Sequence, residues 1–172
     1  MSTGNDIAPK VLRTKILEKT DDLSTFACDK DDPMGLDEFI HEEAIQFQKE
    51  KLGITHLFLY KEQIVGFATL AMSEIEVKEA PSLLSAGIKV KNFPALLIGL
   101  LAVHNDYRDR HVGRIICLWC LEIAKELSRE VGCRLVVVLT EGKTVEFYKK
   151  SGFTTIPKYE KKERKWMYIQ VP

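Results

Sequence analysis

The middle of the chain changes abruptly from apolar residues to basic ones. An apolar run over 95–103 ends at His104, and a long amphipathic segment opens with Val112-Gly113. The basic and imidazole side chains after the run are Arg108, Arg110, His111 and Arg114. The first N–H groups of a helix lack an intrahelical partner and lie at the positive end of the helix dipole, so a pyrophosphate fits this connection. A plain strand-to-helix turn with solvated basic side chains is the alternative.

Several familiar catalytic motifs are absent from the sequence. There is no Walker-type Gly-x-x-x-x-Gly-Lys-Ser/Thr and no Gly-x-Gly-x-x-Gly, which argues against a nucleotide triphosphatase and a dinucleotide dehydrogenase. Neither His-Glu-x-x-His nor Gly-x-Ser-x-Gly occurs. The basic connection is therefore not explained by any of these motifs.

Composition is that of one globular domain. The chain has 172 residues, 45% hydrophobic and 29% charged, and its 25 Lys and Arg balance its 25 Asp and Glu. A formal net charge of zero argues against a dedicated nucleic-acid binder. We expect a single domain over 1–172, with 1–9 as a loose tail. Because no stretch is apolar enough for an export signal or a bilayer span, we expect a cytoplasmic protein with no membrane partner.

The cysteines offer weak evidence for a metal site. Cys117-x-x-Cys120 has the spacing of a metal knuckle or redox pair, but it lies in a predicted helix and no second ligand pair follows. We expect Cys28, Cys117, Cys120 and Cys133 all to be reduced, and we expect no metal.

The periodicity of apolar residues predicts the elements that position the basic connection. Strands are predicted over 10–19, 56–60, 64–72, 95–103, 134–140, 153–156 and 166–171. Helices are predicted over 34–50, 113–131 and 141–151, the second ended by Gly132 and the third by Gly152. The run over 95–103 is expected to be buried on both faces. The order predicts an α/β domain with a mixed sheet and helices packed on it.

Two motifs resemble the GNAT superfamily of N-acetyltransferases. Residues 107–114 (YRDRHVGR), after the apolar run, resemble its acetyl-CoA signature of Arg or Gln, two residues, Gly, one residue, then Gly or Ala. Residues 145–153 (VEFYKKSGF) are similar to its C-terminal "FYxKxGF". The two motifs stand in the family's order, with room between them for a helix, a strand and a helix.

Three further segments are similar to the toxin acetyltransferases of toxin–antitoxin pairs, which acetylate the amino group of aminoacyl-tRNA. They are 26–28 (FAC), 36–40 (LDEFI) and 64–70 (IVGFATL). The resemblance covers roughly 10–171, and its toxin-branch part is weaker than its superfamily part. It implies a mixed, mostly antiparallel sheet of six to seven strands with about four helices.

The resemblance also implies a site for acetyl-CoA, as co-substrate. Backbone groups of Leu101, Ala102 and Val103 are implied to hold the pantetheine arm. The residues implied to hold the diphosphate are Arg108, Asp109, Arg110, His111, Val112, Gly113 and Arg114. Asp109 and His111 depart from the family, which usually has glycine there. Both residue types tolerate positive φ, so we expect the loop to keep its shape.

Tyr148 matches the family's general acid, and a phenol of pKa ~10 suits proton donation to a thiolate. The alternative is a packing aromatic in an amphipathic helix. A general base is less evident: Glu74, Glu76 and His104 are candidates, and a water relay is another solution.

The function implied is transfer of an acetyl group from acetyl-CoA to a primary amine of a small molecule, peptide or aminoacyl group. A toxin that acetylates aminoacyl-tRNA and pairs with a small antitoxin-like protein is one alternative; a non-catalytic acyl-CoA-binding or interaction module is another. A homodimer is consistent with the family. Nucleic acid is expected only as aminoacyl-tRNA.

Overall fold

A computed structural model describes residues 6–172. Its strands are β1 (Arg13–Ile16), β2 (Ile54–Tyr60), β3 (Gln63–Glu76), β4 (Asn92–Val103), β5 (Leu135–Thr140), β6 (Thr154–Thr155) and β7 (Lys165–Gln170). They form one seven-stranded sheet in the order β1-β2-β3-β4-β5-β7-β6. Strands β4 and β5 are parallel, whereas β1–β2, β2–β3, β5–β7 and β6–β7 are antiparallel. The predicted α/β class and the mixed sheet of the GNAT-like fold are confirmed.

Three helical segments accompany the sheet in residues 6–172. They are α1 (36–49), α2 (Val112–Leu127) and α3 (Thr144–Lys150). Segment α1 runs from the α-turn Leu36–Glu38 through the π-turn Phe39–Glu43 into the α-helix Ala44–Lys49. This is one helix fewer than the resemblance implies. The stretch before β4 forms only the 3₁₀ turns Val77–Glu79 and Pro81–Leu83. Proline has no N–H to donate, so a helix does not run through position 81.

The described chain contains two compact units. The first comprises the described residues up to Ala71 together with Gly99–Cys117, and the second comprises Met72–Ile98 with Leu118–Pro172. Within residues 6–172, every helix is too short or too polar to cross a membrane.

The first unit is built on the β2–β3 hairpin. Lys61 and Glu62 link the two strands with φ of 47° and 64°, the two positive values of a two-residue turn whose twist matches that of the strands. The rings of Phe26 and Phe39 lie 5.9 and 6.3 Å from that of Phe67 on β3. The Phe39 contact packs α1 against the hairpin, and the Phe26 contact packs the segment before α1 against it.

Segment α1 begins two residues later than predicted. Both carboxylate oxygens of Asp32 accept backbone N–H groups, from Leu36 and Asp37, each at 2.9 Å. Gly35, which lies between Asp32 and these two residues, has φ 67°. The left-handed glycine breaks the helical path, so the helix starts after it, and the Asp32 carboxylate accepts the first two amides of the helix.

The second unit contains the parallel β4–β5 ladder and a core that includes Ile75, Phe93, Leu135 and Ile156. Helix α2 ends at Leu127 and not at the predicted residue 131. The Ser128 hydroxyl donates to the Lys125 carbonyl at 2.7 Å, and the next amides bond three residues back, which ends the α-helical pattern. The free cysteines Cys28, Cys117, Cys120 and Cys133 are all buried.

Residues 1–5 of the predicted tail lie outside the described residues. Within residues 6–9 the Ile7 side chain is 4% exposed, and Pro9–Val11 form a 3₁₀ turn before β1. Packing of Ile7 therefore differs from the expectation of a loose segment.

Candidate active site

Strand β4 pairs with β5 over only part of its length. Its ladder with β5 contains three residue pairs, which join Ala95–Leu97 to Leu135–Val137, and β4 then continues to Val103. Leu101 and Val103 are half-buried and Ala102 is buried, so the end of β4 is not covered on both faces as predicted. Beyond Leu97 the backbone of β4 lies outside the β4–β5 ladder.

The basic loop (residues 104–111) joins β4 to α2 with two left-handed residues. Asp109 has φ 60° and His111 has φ 61°. Ile115 N–H donates to the His111 carbonyl at 3.0 Å, so the amides of residues 112–114 precede that intrahelical bond. Alternation of left- and right-handed residues aims successive N–H groups into a concavity that attracts anions. The loop thus has positive φ at the two positions where the family usually has glycine.

His104 fixes the start of the basic loop through both ring nitrogens. Nδ1 accepts the Asp106 N–H at 3.0 Å, which assigns the ring proton to Nε2, and Nε2 donates to the Thr25 carbonyl at 2.9 Å. The residue is 5% exposed. Since both nitrogens are engaged, His104 is a structural residue and not the general base considered above.

Two arginines of the basic loop are held by protein groups. Arg108 Nη2 donates to the Cys28 carbonyl at 3.2 Å. The Arg110 guanidinium lies 4.9 Å from the Tyr107 ring centroid, and the Tyr107 hydroxyl donates to Gln63 Oε1 at 2.8 Å. The Tyr107–Gln63 bond ties the loop to the β2–β3 hairpin, and the Arg108 bond ties it to the segment before α1. His111 and Arg114 are exposed.

The first turn of α2 lies close to the sheet because Gly66 on β3 has no side chain. A Cβ atom at Gly66 would lie 2.9 Å from the Ala102 carbonyl oxygen and 2.9 Å from Ile116 Cδ1. Val112 and Gly113, the first two residues of α2, are buried. Residues 101–114 are thus brought together within the first unit.

Tyr148 belongs to the second unit, where the cap of α3 holds it. Gly152 has φ 96°, and its N–H donates to the Lys149 carbonyl at 3.0 Å. Phe153 N–H donates to the Tyr148 carbonyl at 3.0 Å, which completes a Schellman motif. The rings of Tyr148 and Phe153 lie 5.4 Å apart, and Tyr148 is 7% exposed. The Phe-Tyr-x-x-x-Gly-Phe pattern is therefore a helix cap that fixes the tyrosine.

Three other titratable side chains have pKa values that their surroundings in the fold shift away from the usual ones. A hydrogen bond from Lys78 lowers the pKa of Glu76, whereas a general base needs a pKa near the working pH. Burial lowers the pKa of His56. Burial, followed by the nearby carboxylates, raises the pKa of the Cys28 thiol to about 12, so this cysteine is not a thiolate nucleophile at neutral pH.

Two contacts to the basic loop were not foreseen from the sequence. Ile7 N–H donates to the Arg110 carbonyl at 3.4 Å, and Asp6 Oδ2 lies 3.3 Å from His111 Nδ1. Ile7 is the only branched apolar residue among residues 1–9, and this signal is too weak to predict a contact more than 100 positions away.

Known structures resemble the chain over nearly its whole length. AtaT complexed with acetyl-methionyl-tRNAfMet aligns with a TM-score of 0.76 at 21% identity, covering 90% of this chain and 93% of that one. AtaTR bound with AcCoA gives a TM-score of 0.75 at 20% identity, with 94% and 95% coverage. A KacT mutant gives 0.78 at 16% identity, with 93% and 95% coverage. At these identities the likeness shows a shared fold.

No curated protein sequence matches the chain. The model of the Acetyltransferase (GNAT) domain family, however, matches residues 53–155, which include β2 to α3 and both motifs considered above. A match over more than half of the sequence shows that this protein belongs to the family of GNAT acetyltransferases, enzymes that take the acetyl group from acetyl-CoA.

Proposed function

We propose that the chain transfers the acetyl group of acetyl-CoA to a primary amine, with the basic loop and the start of α2 binding the diphosphate. The observation that carries the proposal is the left-handed backbone at Asp109 and His111 directly before a helix N-terminus. Backbone amides in this arrangement suit a diphosphate, and the helix dipole adds to the attraction. The side chains of Arg108, Arg110 and Arg114 add positive charge around the same loop.

The end of β4 is proposed to hold the pantetheine arm. Residues 101–103 lie beyond the β4–β5 ladder, so backbone N–H and C=O groups of Leu101 and Val103 are not used by that ladder. An amide-containing chain can pair with such a strand edge as another strand would. The half-buried side chains of Leu101 and Val103 fit contact with an apolar linker.

Tyr148 is proposed as the general acid. The acceptor nitrogen attacks the thioester carbonyl carbon, a C–N bond forms and the C–S bond breaks. The leaving sulfur takes the Tyr148 phenolic proton, and the nitrogen loses its extra proton to water, from which the tyrosine is reprotonated. The Schellman cap supports this role because it fixes the tyrosine at the end of α3.

The acceptor class favoured is the aminoacyl group of charged tRNA. Residues 143–165 of the second unit carry eight Lys or Arg and three Glu, although the whole chain has no net charge. Within this segment Lys158 is paired with Glu79 and Arg164 with Glu141. Lys161 and Lys162 are exposed, and Lys162 lies 4.9 Å from the Tyr159 ring centroid. Exposed basic side chains beside an aromatic ring suit a phosphate backbone. AtaT, of the same fold, is known with acetyl-methionyl-tRNAfMet and with the C-terminus of an antitoxin.

This proposal includes a small antitoxin as partner and activity in the cytoplasm, where charged tRNA and acetyl-CoA both occur. A homodimer is a further expectation from the family. The charge of residues 143–165 favours tRNA over a small amine as acceptor, since a small amine needs no extended basic surface.

The test of the reaction is thiol release from acetyl-CoA with Tyr148→Phe and the control Tyr168→Phe. Loss of the acid lowers kcat by about 10²-fold or more and leaves the acetyl-CoA Kd unchanged, whereas the control keeps kcat. Equal kcat for both variants would remove Tyr148 from the mechanism.

The test of the acceptor compares charged tRNA with the corresponding free amino acid ester. We expect acetylation of charged tRNA, and a higher KM for it in a Lys161→Ala/Lys162→Ala variant with unchanged acetyl-CoA Kd. Turnover of the small ester alone would show a small-molecule acetyltransferase.

A further inference from the structure

The described N-terminal residues meet the basic loop at two successive positions. Ile7 N–H donates to the Arg110 carbonyl at 3.4 Å, and Asp6 Oδ2 lies 3.3 Å from His111 Nδ1. The Ile7 side chain is 4% exposed, although its sequence neighbours are mostly exposed. The buried isoleucine therefore anchors this contact.

The backbone contact acts on the peptide that carries the His111 N–H. In a trans peptide the Arg110 carbonyl and the His111 N–H point in opposite directions, so holding the carbonyl fixes the direction of the amide. The amide precedes the first residues of α2, in the part of the loop proposed to bind the diphosphate. Ile7 thus controls a group that is placed to bind anions.

The second contact concerns the residue that departs most from the family pattern. His111 holds φ 61°, which glycine adopts freely and which costs a residue with a Cβ atom some strain. The Asp6 carboxylate lies against its imidazole, with His111 61% and Asp6 26% exposed at their side chains. Contacts from outside the loop can favour a conformation that the histidine alone does not.

We propose that Asp6 and Ile7 are positioning residues that keep the Arg110–His111 peptide in its diphosphate-binding arrangement and so compensate for the missing glycine at position 111. The proposal rests on the function proposed above. When the contact is lost, a smaller fraction of molecules holds the competent loop, and the apparent Kd rises by the inverse of that fraction. Chemistry at the thioester is unaffected.

The matched variants are Ile7→Ala and Val11→Ala. Val11 lies in the same segment but is 51% exposed, so its truncation removes little packing. We expect Ile7→Ala to raise the acetyl-CoA Kd and KM about tenfold with kcat unchanged, while Val11→Ala leaves all three unchanged. Equal effects of both variants, or a fall in kcat with KM constant, would overturn the proposal.

A double-mutant cycle tests whether the contact acts through position 111. In a His111→Gly background the loop adopts positive φ without help, so Ile7→Ala is expected to change Kd by less than about threefold. Asp6→Ala is expected to raise the acetyl-CoA Kd in the native background and to leave it unchanged in the His111→Gly background. Tighter binding by Asp6→Ala would show that the carboxylate only repels the diphosphate, which contradicts a positioning role.

Hydrogen exchange of the full chain without ligand separates this proposal from the proposed function. Loss of the buried Ile7 side chain is expected to lower the thermal midpoint of Ile7→Ala, whereas Val11→Ala keeps it. We therefore expect Ile7→Ala to speed exchange of the amides of residues 110–114 by a larger factor than exchange of the β5 amides, and Val11→Ala to change neither. If the unaltered chain binds no acetyl-CoA but this difference is found, the proposed function fails and the positioning contact stands. Identical exchange in the two variants refutes the contact itself.

Discussion

Replacement of Gly66 by alanine is expected to disturb both the fold and the acetyl-CoA site. The new Cβ would lie 2.9 Å from the Ala102 carbonyl oxygen and 2.9 Å from Ile116 Cδ1, about 0.5 Å inside ordinary contact. Ile116 can turn its terminal methyl group away, but the carbonyl belongs to the backbone of β4. The strands must therefore separate locally, and overpacking of this kind costs about 1–3 kcal/mol.

Gly132→Ala is the matched control for this variant. Its Cβ would lie 3.8 Å from Pro94 Cγ, an ordinary contact, and Gly132 does not have positive φ. Alanine there removes backbone entropy from the unfolded chain, so its effect is neutral or slightly stabilising, by about 0.4–1 kcal/mol.

Thermal unfolding and calorimetric titration with acetyl-CoA measure the two consequences. We expect Gly66→Ala to lower the unfolding midpoint by about 2–12 °C and to weaken acetyl-CoA binding, because Ala102 and the start of α2 must move together. Gly132→Ala should leave the Kd unchanged. Equal midpoints and equal Kd values for the two variants would refute the close approach of α2 to the sheet.

Three further predictions concern the cap of α3, the cap of α1 and a buried thiol. Gly152 has φ 96°, so Gly152→Ala should lower the free energy of unfolding measured in urea by about 1–2 kcal/mol. It should also lower kcat, because the cap that fixes Tyr148 is disturbed, whereas Gly132→Ala should not. An unchanged kcat in Gly152→Ala would contradict this role of the cap. Asp32→Ala removes the acceptor of two backbone amides, so it should lower the free energy of unfolding by about 1 kcal/mol in the same assay. An unchanged free energy of unfolding would contradict the capping role of Asp32. The pKa of Cys28 is about 12 in the folded chain and ~8.5 unfolded, so its contribution to stability is present below pH 8.5 and is lost as pH rises toward 12. Cys28→Ala should therefore flatten the decline of the urea midpoint between pH 7 and pH 10; the same slope in both chains would contradict this.

Local patterns predicted the order of the elements well. The apolar stripe of α2, the alternation in the β2–β3 hairpin and the glycine that ends α3 are all encoded within short segments. The positive φ at Asp109 and His111 agrees with what the resemblance implies, because the family usually has glycine there and both residue types tolerate positive φ.

The remaining features depend on contacts between distant segments. The start of α1 is set by Gly35, whose left-handed backbone separates the cap from the helix. Burial of Ile7 depends on a loop more than 100 residues away, and the exposure of Leu101 depends on where the β4–β5 ladder ends. Hydrophobic periodicity carries no information on these partners.

The most direct measurement of the central claim is calorimetric titration of the purified chain with acetyl-CoA and, separately, with desulfo-CoA. Both ligands share the diphosphate and the pantetheine arm, so binding at one site in the micromolar range is predicted for each, about −8 kcal/mol at a Kd of 1 μM. Absence of heat with either ligand, together with no thermal shift at millimolar concentration, would contradict the assignment of the basic loop as a diphosphate site.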